Sequence, residues 1–130
     1  MNVGSPEVFK AGSALAGGVA RRGETCGALT GAIMALSSIV GRERLEDVEQ
    51  YQRAIDSANR LYDLFREKVG HTLCWEIHKI RYGKTYRLCF PEERQAFHEM
   101  GGHGRQGCPE VCGIAARIAA EAILDLEKES

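Results

Sequence analysis

The stretch LEDVEQYQRAIDSANRLYDLFREKV, residues 45–69, carries the clearest secondary-structure signal in the chain. Apolar side chains recur in it every three or four residues, and charged side chains fill most of the positions between them. This period is that of an amphipathic α-helix, and Gly70 suits its C-terminal end. The stretch therefore predicts one long helix with a solvated charged face and an apolar stripe of Leu45, Val48, Tyr51, Ile55, Ala58, Leu61, Tyr62, Phe65 and Val69.

Two helices are predicted before the long one. Ser5 as an N-cap, followed by proline, begins an N-terminal helix that ends near Gly17 and Gly18. Residues 25–41 form a second helix, with Thr25 as its N-cap. Because this helix is rich in small residues and its later turns are apolar, we expect it to be central and buried.

Shorter elements are predicted after the long helix. Thr72 is expected to cap a short helix, on which His78 is a surface side chain and Trp75 a core anchor. Residues 84–90 suit a short strand or an extended loop, and residues 91–100 begin with proline and acids, as a short helix does.

The last helix follows a glycine-rich segment. The seven residues GGHGRQG, 101–107, contain four glycines and predict a flexible loop. Cys108 opens the next helix, with Pro109 at its first position. The predicted fold is all-α: one domain, residues 1–130, in which about five helices form a compact bundle with a Gly-rich loop before the last helix.

Composition and charge narrow the classes of function. The 130 residues are 44% hydrophobic and 27% charged, which is typical of a globular protein, and the net charge of −1 offers no basic surface to nucleic acid. No apolar run reaches the length of a membrane span, and MNVGSPEVFK lacks the core of a signal peptide. We therefore expect a cytoplasmic protein without membrane insertion.

Five cysteines are the chemically informative residues: Cys26, Cys74, Cys89, Cys108 and Cys112. An odd number of cysteines cannot all pair within one chain. In a reducing compartment, cysteines in number are more often redox-active or metal-bound than structural, although a free cysteine is also a common buried small hydrophobe.

The positions of three cysteines suggest reactive thiols. Cys26 and Cys108 are predicted at helix N-termini, where unpaired N–H groups and the helix dipole favour a thiolate, which is both a nucleophile and a metal ligand. Cys112 lies one turn beyond Cys108 on the same side of the helix. Their Cβ atoms would be about 5–6 Å apart, against roughly 3.8 Å in a disulfide, so each would sooner pair with another cysteine.

The stretch CGALTG, residues 26–31, resembles the Cys-Gly-Ala-x-x-Gly signature of the C_GCAxxG_C_C family of redox-active proteins. The matching residues are Cys26, Gly27, Ala28 and Gly31, and downstream Cys74 in TLCWEI and Cys108 in GCPEVCG resemble the next two cysteines of the family. The family usually has an earlier cysteine in an N-terminal helix, and no cysteine precedes Cys26 here. Either that helix is missing from this chain, or Cys89 or Cys112 supplies the fourth sulfur.

The resemblance implies redox function, and we expect an iron–sulfur cluster held for electron transfer by Cys26, Cys74, Cys108 and a fourth ligand. Zinc suits the same thiols. The family's likeness to split-Soret cytochromes implies haem as well, bound non-covalently because no C-x-x-C-H occurs. His98 and His103 are candidates for an additional ligand.

Two other interpretations remain open at this point. One is metal-free thiol–disulfide chemistry, and the other is a non-catalytic helical module that packs on a transporter or an electron-transfer partner. Gly27, Ala28 and Gly31 either leave room for a cluster or let helices pack closely, including across a homodimer. Because no acid–base pair and no phosphate loop appear, the sequence does not say whether the protein is an enzyme.

Overall fold

The computed structural model describes residues 1–129, and all regular structure in this range is helical. The all-α prediction is confirmed, with six α-helices in the described residues where about five were expected. A 3₁₀ turn, Ser13–Leu15, follows the first helix. The helices are α1 (Pro6–Ala11), α2 (Gly27–Val40), α3 (Val48–Val69), α4 (Cys74–Tyr82), α5 (Pro91–Glu99) and α6 (Cys108–Lys128).

The main core lies where α2, α3 and α6 pack against one another. Each helix contributes its apolar stripe, and the fully or almost fully buried side chains include Leu29, Leu36, Phe65, Val111 and Ile118. Burying a side chain of this size stabilises the fold by about 1.5–3 kcal/mol. The central, buried helix predicted from the small-residue segment is α2.

The long helix begins later than its apolar pattern predicted. The Asp47 carboxylate accepts the backbone N–H of Gln50 at 3.0 Å, so α3 begins at Val48, and Leu45 stands exposed before it. Gly70 ends the helix in a left-handed conformation, as predicted. The apolar stripe is buried in the C-terminal half of α3, whereas Tyr51 remains 44% exposed.

A second, smaller core forms where α4, α5 and the loop between them meet. Tyr86, Leu88 and Phe97 are buried there, and the ring of His78 stacks on Phe97 with 4.8 Å between ring centroids. His78 is only 1% exposed, so its prediction as a surface side chain is wrong. The loop between α4 and α5 carries Tyr86 and Leu88, and these side chains cover the inner face of α4, on which His78 lies.

The N-terminal segment contains an unusual run of backbone conformations. The predicted helix ends at Ala11, well before Gly17 and Gly18. From Gly17 to Arg21, five consecutive residues have φ between 52° and 75°. Left-handed backbone costs a non-glycine residue roughly 1–2 kcal/mol, so Val19, Ala20 and Arg21 store strain that the surrounding hydrogen bonds must hold.

Two chain segments pair immediately before α2 and α4. Thr25 and Leu73 form an isolated antiparallel bridge, flanked by hydrogen bonds from the Cys26 amide to the Thr72 carbonyl (2.8 Å) and from the Cys74 amide to the Glu24 carbonyl (2.7 Å). Residues 84–90 form a loop and no strand, which is the second of the two predicted alternatives. The bridge fixes the starts of two helices next to each other.

None of the helices described in residues 1–129 combines the length and the apolarity that crossing a membrane requires.

We expect Val19→Gly to raise the free energy of unfolding by about 1 kcal/mol. Glycine removes the left-handed strain of a β-branched residue, and this gain exceeds the extra entropy that glycine loses on folding. Val19 is 41% exposed, so little packing is lost. Urea unfolding measures the change. The control is Val48→Gly at an exposed position of right-handed helix, which should destabilise; a loss of stability in both variants would contradict the strain.

Candidate functional site

A cavity of about 360 Å³ lies between the starts of α2, α4 and α6. Four of the five cysteines line it: Cys26, Cys74, Cys108 and Cys112. Cys89 lies outside the lining. The other lining side chains are apolar or absent, except for those of two histidines, and no Lys, Arg, Asp or Glu is among them. The cavity is therefore a thiol-lined, uncharged chamber.

Three of the four cysteines stand where a helix begins. Cys26 is the N-cap of α2, while Cys74 and Cys108 are the first residues of α4 and α6. Thr25, predicted as the N-cap of α2, lies instead in the bridge with Leu73. The N-terminal ends of three helices consequently border the cavity, and the helix dipole there favours negative charge.

Burial opposes that effect at three of the sulfurs. Burial raises the pKa of the Cys26 thiol above its ordinary value, and the amides of Ala28 and Leu29 lower it by less. The prediction that Cys26 ionises readily is therefore wrong, because desolvation outweighs the helix terminus. Burial, then the nearby sulfurs of Cys26 and Cys108, raises the pKa of Cys74 to about 12. Burial and Cys108 raise the pKa of Cys112.

The four thiols also influence one another electrostatically. Cys26 is coupled in this way to Cys74, Cys108 and Cys112, and Cys108 to the other three. Among the four, Cys112 is exposed, Cys74 is buried, and Cys26 and Cys108 are half-buried.

Two side chains of α4 approach sulfurs. His78 Nε2 lies 3.7 Å from the Sγ of Cys74, and the Tyr82 hydroxyl donates to the Sγ of Cys108 at 3.6 Å. Burial, and then Cys108, raises the pKa of Tyr82, so the phenol keeps its proton and remains a donor. Neither residue was among the predicted site residues. Their spacing from Cys74, at i+4 and i+8 on one helix face, is the sequence signal that could have found them.

The start of α6 is held in place by a residue of α4. Arg81 donates to the carbonyl oxygen of Gln106 at 3.1 Å and pairs with the Glu110 carboxylate at 3.3 Å. Its side chain is only 19% exposed, which screens this pair less than a surface ion pair. These contacts join both the Gly-rich loop and the first turn of α6 to α4. Cys108, which lies between Gln106 and Glu110, therefore has a defined position at the cavity wall.

The two histidines predicted as additional ligands lie together at the Gly-rich loop. His103 lines the cavity, and His98 lies behind it, with 3.1 Å between their Nδ1 atoms. One Nδ1 carries a proton and the other accepts it, because two imidazole nitrogens hydrogen-bond only in that way. His103 also packs edge-on against Phe97, with 5.1 Å between centroids.

The donor set is suitable for a soft metal, but its arrangement is not that of a formed metal site. Thiolates bind iron–sulfur clusters and zinc. Within residues 1–129, however, no group of three or more His, Cys, Asp or Glu side chains is arranged so that it could hold a metal ion. The cysteines as placed do not form a ligand set for a metal ion. The iron–sulfur cluster, zinc and haem therefore stay predictions.

The three small residues of the signature have different surroundings. A Cβ on Gly27 would approach the carbonyl oxygen of Leu15 to 3.0 Å, so this glycine lets the 3₁₀ turn pack against α2. A Cβ on Gly31 would meet nothing within 4 Å, although Gly31 lines the cavity together with Ala28. Gly27 therefore serves close packing, and Gly31 leaves space.

We expect opposite effects when alanine replaces these two glycines. Gly27→Ala should lower the free energy of unfolding by about 1 kcal/mol, because the added methyl group pushes on a backbone carbonyl. Gly31→Ala should raise it by up to about 1 kcal/mol, since alanine favours helix and the space is open. Thermal or urea unfolding of the matched pair tests this. Equal destabilisation by both substitutions would show that Gly31 is also a packing position.

Comparison with known proteins places the chain in a family. Neither the curated proteins nor the solved structures contain a match. The family model described as "Putative redox-active protein (C_GCAxxG_C_C)" matches residues 1–122, almost the whole chain. The residues that carry its signature, Cys26, Gly27, Ala28 and Gly31, stand at the wall of the thiol-lined cavity. The chain is therefore a member of the C_GCAxxG_C_C family of redox-active proteins.

Proposed function

We propose that the protein carries out thiol–disulfide exchange in the cavity and acts on small disulfides. The observation that carries the proposal is the group of four thiols, from three helices, around one chamber of about 360 Å³. A chamber of this size suits a small molecule.

Cys108 is the thiol that attacks. It is half-buried, it opens the 21-residue helix α6, and its sulfur accepts a hydrogen bond from the Tyr82 hydroxyl. The hydrogen bond from the phenol holds this sulfur in place at the wall of the cavity. The thiolate forms as the Cys108 thiol releases its proton to solvent, and it attacks one sulfur of the disulfide R–S–S–R. A bond from Cys108 to that sulfur forms, the S–S bond of the substrate breaks, and R–S⁻ leaves with a proton from solvent.

Cys26 is the thiol that resolves the mixed disulfide. It interacts with Cys108, and the amides of Ala28 and Leu29 support its thiolate against burial. The Cys26 thiol releases its proton to solvent and its sulfur attacks that of Cys108. The bond between Cys108 and the remaining R–S group breaks, the second R–S⁻ leaves and takes a proton from solvent, and a Cys26–Cys108 disulfide forms. Two thiols of the protein are oxidised while one disulfide is reduced to two R–SH, so electrons and protons balance.

The lining favours an uncharged substrate. An anion in the cavity would have no lysine or arginine to pair with, because the lining contains neither. Leaving water costs an ion several kcal/mol, whereas each helix N-terminus returns only about 0.3–1 kcal/mol. Desolvation therefore outweighs the attraction of the three helix termini, and charged disulfides should react slowly.

A second candidate function is electron transfer by a metal cluster. The observation that favours it is that the same four thiols share one cavity. It would require Cys26, Cys74, Cys108 and Cys112 to move into a ligand arrangement that the described residues do not show. Cytoplasmic location, a homodimer and a transporter or electron-transfer partner remain predictions alongside it.

We expect treatment of the reduced protein with bis(2-hydroxyethyl) disulfide to produce a disulfide between Cys26 and Cys108. Proteolysis under non-reducing conditions and mass spectrometry map the pair. Cys108→Ser should abolish the reaction, whereas Cys26→Ser should accumulate the mixed disulfide on Cys108. Cys89→Ser is the matched control and should behave as the unmodified chain does, because Cys89 lies outside the cavity.

The same preparation, purified without oxygen or chelator, is assayed for iron, acid-labile sulfide and zinc. Stoichiometric iron and sulfide would contradict thiol exchange and support electron transfer by a cluster. Stoichiometric zinc would make the site structural. A metal-free protein whose cavity cysteines remain thiols after treatment would contradict both redox mechanisms.

We expect the uncharged disulfide to react at least about tenfold faster than its dianionic analogue, dithiodiglycolate, because the cavity offers the carboxylates no counter-charge. The ratio is obtained from stopped-flow rates at low substrate concentration. Each rate is divided by that of a free thiol in solution, which removes the difference in intrinsic reactivity. A corrected ratio near one would show that exchange takes place outside the cavity.

A further inference from the structure

His78 is the most deeply buried ionisable side chain near the cysteines, and its two ring nitrogens face different partners. The backbone N–H of Tyr86 points at Nδ1 across 3.3 Å, and Nε2 lies 3.7 Å from the Sγ of Cys74. The ring itself is held between aromatic side chains, stacked on Phe97 and edge-on to Tyr86. The orientation of the imidazole is thus fixed by a contact at each ring nitrogen and by stacking on one face of the ring.

These contacts select one tautomer. Because the amide of Tyr86 is a donor, Nδ1 must offer a lone pair. The single proton of the neutral ring then sits on Nε2 and points at the sulfur. An Nδ1 that accepts this hydrogen bond carries no proton, so the ring is in its neutral form. His78 therefore donates a hydrogen bond to Cys74, and it cannot take the thiol proton through a nitrogen that already carries one.

We propose that His78 is a positioning residue that makes Cys74 a usable redox thiol, by donating a fixed Nε2–H hydrogen bond to its sulfur. This differs from a cysteine–histidine pair in which the imidazole is the base. Hydrogen bonds to a charged group are roughly twice as strong as those between neutral groups, so the donor acts mainly when the sulfur carries negative charge. The inference rests on the proposed function and adds Cys74 to Cys108 and Cys26 as a third thiol of the cavity that can enter the exchange, in which its sulfur would carry negative charge when it attacks or leaves.

The inference accounts for the position of Cys74. This thiol is the most buried of the four, and the imidazole of His78 lies within hydrogen-bond reach of its sulfur. Cys108 has the Tyr82 hydroxyl as a donor, and Cys26 has two amides. His78 gives the sulfur of Cys74 a donor as well. Helix α4 therefore supplies two donors, His78 for Cys74 and, one turn later, Tyr82 for Cys108.

The test is the rate at which iodoacetamide alkylates Cys74 in the full reduced chain, followed by mass spectrometry of the Cys74 peptide at one alkaline pH. His78→Leu removes the donor and should slow alkylation about tenfold. His78→Gln places an amide N–H near the position of Nε2 and should keep the rate within about threefold. Cys89 in the same samples is the internal control, and His98→Gln is the matched surface variant.

A purely structural role would give a different pattern. Equal slowing in His78→Leu and His78→Gln, or faster alkylation in both because the cavity has opened, would overturn the proposal. Thermal unfolding of each variant verifies that the folded protein is being compared. Alkylation needs no disulfide substrate, so this result is independent of whether thiol–disulfide exchange is the function.

A second readout addresses the tautomer in the unsubstituted protein. The ¹⁵N chemical shifts of the His78 imidazole should show a protonated Nε2 and an unprotonated Nδ1. The opposite tautomer would overturn the proposal, since Nε2 would then accept the thiol proton instead of donating its own.

Discussion

The antiparallel bridge between Thr25 and Leu73 is the constraint on which the rest of the site depends. Its flanking hydrogen bonds join Cys26 to Thr72 and Cys74 to Glu24, residues separated by nearly fifty positions in the chain. The bridge is a small element, but it lies immediately before both α2 and α4. The bridge thereby brings the starts of α2 and α4, and one cysteine on each, to the same wall of the cavity.

The chemistry of this wall results from two opposing effects. Helix N-termini favour thiolates at Cys26 and Cys74, whereas burial in an apolar chamber favours thiols. Burial is the larger effect at both residues, where the pKa values are raised. These two sulfurs therefore keep their protons more readily than a free cysteine does.

The parts of the structure that the sequence predicted are those in which the pattern is local. The period of the α3 stripe, the proline after Cys108 and the left-handed Gly70 each depend on neighbours within a few residues. The misplaced features depend on distant partners. Thr25 is a good N-cap by propensity, but pairing with Leu73 moves the cap to Cys26. His78 looked like a surface residue because the loop that covers it, around Tyr86, has no recognisable pattern.

By itself, the sequence determined an all-helical protein with an amphipathic long helix, a small-residue helix behind Cys26 and a last helix that opens at Cys108, because helical periodicity and caps are short-range. It also carried the signature of the redox family. Only the tertiary structure decided that four cysteines share one uncharged cavity while Cys89 lies outside it, and that His78 and Tyr82 face two of the sulfurs. The physical reason is that burial and donor geometry arise from elements brought together across the fold. The spacing of His78 and Tyr82 from Cys74 puts all three on one helix face, but it does not determine which sulfur each side chain meets.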